Sequence, residues 1–274
     1  MQINSEIIHA GLSQIERLFI DNMLGKGKEI IKSEDVMTEM SFSKQRSNLM
    51  LSKLSRKGWL QRLKAGIYRI IPMGSVSGNS ITENSWPVAM ELFSPGYIGG
   101  WSAAEQLDLT EQIFNTTFVF TATTQRKINH LIAGVHFRTK HIEEKNIFGT
   151  NKIWNNNKLI LISDIHRTLI DILDDPSVGG GGRAMIDIAK AYSQKKDAKF
   201  ENLWSYSEKL NHGSVFKRLG FIGEKVLKMP INLLESLHAK CKTGIILLDP
   251  QGPKSGNVYN RWGIRVNIPE DDLK

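Results

Sequence analysis

The chain has 274 residues, with 36 Lys and Arg against 28 Asp and Glu, a net charge of +8, 41% apolar residues and one cysteine. At roughly 150 residues per domain this length suggests two domains, and the composition excludes wholesale disorder. The lone Cys241 excludes a disulfide framework, and neither a ~20-residue apolar run nor a signal-peptide pattern occurs, so a cytoplasmic protein is expected.

The N-terminal 72 residues read as three helices and a hairpin. Leu12, Ile15, Leu18, Phe19 and Met23 recur at helical spacing, and Gly25 and Gly27 stop that helix before a brief apolar strand at Ile30-Ile31. Ser33 is placed to cap a second helix, with Glu34 and Asp35 in its first turn as the helix dipole favours. A third helix begins at Ser41 or Ser43 and ends at Gly58, with Leu51 and Leu54 facing inward. Trp59–Leu63 and Ile67–Ile71 then form two strands around the turn Lys64-Ala65-Gly66. This order predicts a winged helix-turn-helix over residues 1–72.

Charge is concentrated there. From Ser41 to Pro72 the basic residues are Lys44, Arg46, Lys53, Arg56, Lys57, Arg62, Lys64 and Arg69, with no Asp or Glu among them. Solvated faces normally mix both signs, so a stretch purged of acids points to a polyanionic partner. Lys44 and Arg46 lie in the first turn of the third helix, against the sign of its dipole, an arrangement that a bound phosphate reverses. Double-stranded DNA is the expected partner. Gln45, Arg46, Ser47 and Asn48 are candidates for reading base edges, and Lys44, Lys53, Arg56, Lys57, Arg62 and Lys64 for holding phosphates.

Residues 73–85, rich in Gly, Ser and Asn, read as a linker to a larger C-terminal domain over 86–274. That part holds five of the six tryptophans and is nearly balanced in charge. Short helices at Pro87–Phe93 and Ser102–Leu107 flank the apolar Tyr97–Trp101. Strands are expected at Phe118–Thr121, Val135–Lys140, Lys152–Trp154 and Lys158–Ile162, the last two joined through Asn155-Asn156-Asn157. A helix at Ser163–Leu173 precedes Pro176 and four glycines, 179–182, which read as a flexible loop. Helices follow to Lys240, including an amphipathic Phe216–Leu227, and strands at Ile245–Leu248 and Trp262–Asn267 close the chain. Strands and helices do not alternate regularly, so the fold class is α+β, a winged helix-turn-helix followed by a larger mixed α/β domain.

No catalytic constellation emerges, and no cofactor or metal is expected. His130, His136 and His141 match no metal-binding spacing, the glycines lack a P-loop's Gly-Lys-Ser/Thr ending, and Asp164, Arg167 and Asp171 are spaced to pair along one side of their helix.

Several segments in the correct order resemble AbiEi-type antitoxins of type IV toxin–antitoxin systems. They are Leu54-Ser-Arg-Lys-Gly-Trp-Leu-Gln-Arg-Leu63 with Gly66-Ile-Tyr68, Gly99-Gly-Trp-Ser-Ala-Ala-Glu-Gln106 with Leu109–Phe114, Ser163–Asp171, Arg218-Leu-Gly-Phe-Ile-Gly-Glu224 and Trp262–Asn267. The resemblance implies a repressor that binds inverted repeats upstream of its own operon. It also implies an antitoxin whose C-terminal domain counteracts an AbiEii-like nucleotidyltransferase toxin, in pairs associated with abortive infection against phage. No catalytic motif and no individual toxin-neutralising residue is carried over. An ordinary winged-helix regulator with a ligand-sensing or oligomerising C-terminal domain is the competing expectation, and a nucleic-acid-processing enzyme a weaker one.

Overall fold

The computed structural model describes residues 11–71, 85–155 and 158–273. The expected linker, apart from Ser85, and the Asn156-Asn157 turn lie outside the described residues.

The N-terminal unit runs α1 (Gln14–Gly25), β1 (Ile30–Lys32), α2 (Ser33–Met40), α3 (Lys44–Arg56), β2 (Leu60–Lys64) and β3 (Ile67–Ile70). Ser13 caps α1 in a reciprocal capping box with Glu16, and Ser43 caps α3 by accepting from the Arg46 amide. The three strands form an antiparallel sheet in the order β1-β3-β2. Phe19, Ile20 and Met23 of α1, Val36 of α2, Met50, Leu51 and Leu54 of α3, and Leu60, Tyr68 and Ile70 of the sheet enclose one small core.

A six-stranded sheet forms the centre of the larger part. Its strands are β4 (Gly96–Ile98), β5 (Thr116–Thr121), β6 (Asn129–Ile132), β7 (Val135–His141), β8 (Thr150–Asn155) and β9 (Lys158–Ser163), ordered β6-β7-β5-β4-β9-β8. The β5–β7 and β4–β9 pairs are parallel, and β4–β5, β6–β7 and β8–β9 antiparallel. The architecture is α+β. Strand alternation divides the side chains between two cores. Tyr97, Phe118 and Phe120 face one side, under α5 (Gly100–Gln106), α6 (Ile165–Asp174), α7 (Gly182–Ser193), α8 (Phe200–Leu210), α9 (Gly213–Ile222) and α10 (Ile231–Lys240). Ile98, Val119, Phe137, Ile160 and Ile162 face the other, against α4 (Trp86–Phe93).

This second core also contains Ile30 and Leu63, with Ile67 packed against it, all three from the N-terminal unit. A bulge between Arg62 and Lys64 lets Leu63 join Ile67 there, while Leu60, Tyr68 and Ile70 remain in the small core. Lys32 of β1 reaches Glu91 of α4 at 2.7 Å. The N-terminal unit is therefore docked on the body.

Helix α6 is buried on nearly every side, so its polar residues do not line a surface as the spacing suggested. Arg167 Nε donates to Asp171 Oδ1 at 2.9 Å, Arg167 Nη2 to the Tyr97 hydroxyl at 2.9 Å, and that hydroxyl to Asp171 Oδ2 at 2.8 Å. The Arg167 guanidinium carbon lies 4.2 Å from the centre of the Phe148 ring, and Nη1, itself buried, has no hydrogen-bond partner. Burial pushes the Asp171 carboxyl up to about 6, against the pull of the Arg167 charge. Asp164 caps the helix through the Arg167 amide and accepts from the Tyr206 hydroxyl.

Two of the four glycines are fitted by close packing, and the two between them, Gly180 and Gly181, adopt φ of +98 and +101. A Cβ at Gly179 would strike Ile172 and one at Gly182 would strike Asp249. Asp249 Oδ2 accepts from the Gly182 amide at 2.9 Å, so a side chain already occupies the N-terminus of α7. The amphipathic segment expected over Phe216–Leu227 is split: α9 ends at Ile222 and a π-helical turn, Gly223–Leu227, follows. That turn presents Glu224, which accepts from Trp262 Nε1 and Arg261 Nη1, both at 2.9 Å. The closing strands β10 (Ile246–Leu247), β11 (Asn257–Tyr259) and β12 (Ile264–Val266) form a small sheet ordered β10-β12-β11; β4, β6 and β11 are strands that the sequence pattern does not predict.

Trp262 is fully buried with its ring against Gly220, where a Cβ would overlap the indole. Gly220→Ala is expected to lower stability by about 2–3 kcal/mol through overpacking, read as a drop in denaturant midpoint at unchanged slope. An unchanged midpoint would contradict the close packing of this ring.

Candidate nucleic-acid interface

Helix α3 is amphipathic with a sharply defined orientation. Ser47, Met50, Leu51 and Leu54 are buried, which turns Gln45, Leu49, Ser52 and Arg56 outward along one stripe. Four of the ten residues expected at this interface need correction. Ser47 is fully buried and donates to the Ser43 carbonyl at 3.0 Å, so it cannot reach a base. Asn48 is exposed, but its Oδ1 accepts from Ser33 Oγ at 2.5 Å, which occupies one of the two lone pairs of that oxygen and ties the side chain to the start of α2.

Lys53 and Lys57 turn toward α1. Lys57 Nζ lies 2.6 Å and Lys53 Nζ 3.3 Å from the carboxylate of Glu16, and Lys57 also donates to the Gly11 carbonyl. Lys57 is thereby committed to holding α3 on α1. Lys53 remains more than half exposed beside the same acid. Burial alone would raise the Glu16 carboxyl, but Lys57, the Ser13 amide and hydroxyl, and Lys53 outweigh it and hold the group at about 2. The stretch free of acids along the chain therefore receives an acid in space, from a helix some thirty residues earlier.

The remaining cations are outward. Lys44, Gln45, Arg46, Arg56, Arg62 and Lys64 are exposed, and no carboxylate among the described residues pairs with the five cations of this set. The Arg46 guanidinium carbon sits 3.7 Å from the centre of the Phe42 ring, which holds it beside the N-terminus of α3. Leu49, 63% exposed in the middle of the outward stripe, is the residue that charge-based reading missed. The signal was present in the period of the helix, since the stripe opposite 47, 50, 51 and 54 is 45, 49, 52 and 56. An apolar side chain at that place suits a thymine methyl group. Hydrogen-bond donors at the helix N-terminus, cations on both flanks and one apolar residue at the centre make a surface with the chemistry to hold anionic groups.

The other polar clusters are structural in their contacts. His130 lies against Phe93 with ring centres 5.1 Å apart, and Asp174 accepts from His212 and Ser214 while also pairing with Lys140. Among the described residues no group of three His, Cys, Asp or Glu converges as a metal cluster. No described helix is long and apolar enough to cross a membrane.

Among solved structures, the chain is similar to the Rv2827c protein from Mycobacterium tuberculosis. The two superpose with a TM-score of 0.63 at 13% identity, covering 96% of this chain and 94% of that one. At this identity the likeness shows the fold, over nearly the full length of both chains. No protein-family model and no curated protein matches the sequence.

The pairing of Glu16 has a pH consequence. Its folded value lies below the ordinary 4.5, so its contribution to stability is complete above that pH and is lost as the pH falls toward about 2. Glu16→Gln keeps an acceptor for the capping box but removes the charge met by Lys57 and Lys53, and is expected to destabilise the protein at neutral pH by about 1 kcal/mol and to match the parent near pH 2. Thermal unfolding of both proteins across this range checks it; parallel curves throughout would contradict the pairing.

Proposed function

We propose that this chain binds duplex DNA through α3 and the β2–β3 wing, and that it represses its own operon while acting as the antitoxin of a type IV toxin–antitoxin pair. The observation that carries the DNA-binding half is the outward surface of Lys44, Arg46, Arg56, Arg62 and Lys64, free of carboxylate partners among the described residues and set around the stripe Gln45-Leu49-Ser52-Arg56. In this reading α3, the last of three helices before the wing, is the helix that enters the major groove. Arg46 and Gln45, nearest its N-terminus, are assigned to base edges, Leu49 to a methyl group, and Lys44, Arg56, Arg62 and Lys64 to phosphates. The antitoxin half rests on the resemblance to AbiEi-type proteins. The partner toxin it implies is a nucleotidyltransferase-like protein of the AbiEii type, and the setting it implies is cytoplasmic.

The four cations assigned to phosphates set the scale of salt dependence. At a slope of about −0.9 per phosphate contact, affinity for DNA from the region upstream of the gene should fall by about a hundredfold or more between about 50 and 200 mM salt. Anisotropy titrations measure this directly, and an affinity that stays flat across the range would overturn the interface. The two halves separate in one full-length variant: replacing Gln45, Arg56 and Arg62 by Ala should abolish retardation of upstream DNA yet still restore growth to cells expressing the neighbouring toxin gene. If the variant loses rescue while remaining folded, antitoxin action is not a separate property of the body.

A further inference from the structure

A second stretch of the chain lacks acids. From Gln112 to Ile142 there is no Asp or Glu, while Arg126, Lys127, Arg138 and Lys140 and three of the seven histidines fall within it. Two of these cations are engaged on the helical side of the sheet: Arg138 approaches the Trp101 ring and donates to Ser177, and Lys140 pairs with Asp174 and Asp175. Arg126 and Lys127 are different. They are exposed in the segment joining β5 to β6, and no carboxylate among the described residues pairs with either.

The fold brings this segment beside the wing. Leu63 and Ile67, which flank the wing turn, share a hydrophobic cluster with Ile132, Ala133 and Val135 at the β6–β7 turn. His130 of β6 stands between the two parts. Its ring is tied to the body by Thr139 Oγ1 at 3.2 Å, the Lys127 backbone and the face of Phe93. Burial lowers its pKa, and the charges of Lys64 on the wing and Lys127 on the body lower it further. At the wing's other side, Ser33 Oγ lies 3.7 Å from where a Cβ on Gly66 would stand and donates to Asn48 on α3. Continuous neighbours therefore lead from α3 through Ser33 and the wing turn to His130 and Lys127. The connecting segment is braced: Thr121 Oγ1 bonds Thr123, and Gln125 Nε2 donates to Thr123 Oγ1 at 2.6 Å.

From this juxtaposition we infer that Arg126 and Lys127 form a second phosphate-contacting element, which carries the DNA surface off the wing and onto the body. The inference rests on the DNA-binding reading above and extends it. Like-charged side chains gathered from two separate acid-free stretches, on elements locked together by an apolar core, repel one another in the free protein and are relieved by a polyanion spanning both. Such contacts position the duplex and carry no sequence information.

The test uses the full chain, a duplex from the region upstream of its gene and an unrelated duplex of equal length. Arg126→Ala with Lys127→Ala is expected to weaken binding to both duplexes by about tenfold at low salt, to leave their affinity ratio unchanged, and to make the plot of log affinity against log salt shallower by up to about 2. Arg126→Glu with Lys127→Glu should weaken binding further. Lys196→Ala, on the helical side of the sheet, should change nothing. Circular dichroism establishes that each exposed-site variant is folded. If the parent binds with steep salt dependence and both double variants match it, the surface ends at the wing and this inference is overturned. If the parent binds neither duplex, the DNA-binding reading itself is overturned along with it.

Discussion

An arginine that cannot reach water organises the body of this protein. Arg167 projects from a helix with almost no exposed side, and its charge is met by Asp171 one turn along the helix and by the Tyr97 hydroxyl from the central sheet. Removing either partner would leave an uncompensated charge in a low-dielectric interior, which costs far more than the intact set contributes. The same helix is held at its far end by Arg218 of α9. Its Nη1 donates to the carbonyls of Leu173 and Asp174, while Nε and Nη2 donate to those of Leu248 and Leu247. Two buried guanidinium groups thus fix α6 to the sheet on one side and to the C-terminal strands on the other. Everything packed on that face of the sheet takes its position from this helix.

The segments that carry the resemblance acquire physical roles in this setting. In Arg218-Leu-Gly-Phe-Ile-Gly-Glu224, the arginine terminates α6, Gly220 leaves room for the Trp262 ring, and Glu224 on the π-helical turn receives the indole N–H. In Gly99-Gly-Trp-Ser, Gly100 has φ +55 and no space for a side chain beside the Val178 carbonyl, while Trp101 donates to the Thr116 carbonyl. These residues shape a core.

Legibility in the sequence followed the range of the interactions. The N-terminal elements stand within a few residues of where capping serines, glycine stops and apolar spacing placed them, because those signals act over one or two turns. Gly25, Ser43 and Gly58 each mark a boundary by local chemistry, whereas Ser33, expected to cap α2, is its first helical residue: Lys32 holds the cap position, its amide donates to Asp35, and the Ser33 hydroxyl donates to Asn48. Long-range pairing was not visible in the same way. Nothing near Lys53 or Lys57 announces Glu16, and nothing around Asn48 announces Ser33, so the acid-free run overstated the free charge of α3. Helical period alone exposes Leu49 and buries Ser47. In the body, Asp164, Arg167 and Asp171 look like an ordinary surface ladder until the flanking helices cover them. The short strand β6 escaped because its side chains alternate only weakly between buried and exposed.

The bulge at Leu63 has a thermodynamic corollary. By turning one leucine out of the small core and into the larger one, it welds a hairpin that in a freely tethered module would tumble through many orientations. Under the DNA-binding reading proposed above, a head already immobilised before encounter surrenders little rotational freedom, so each charge it brings would contribute nearly its full share to complex formation.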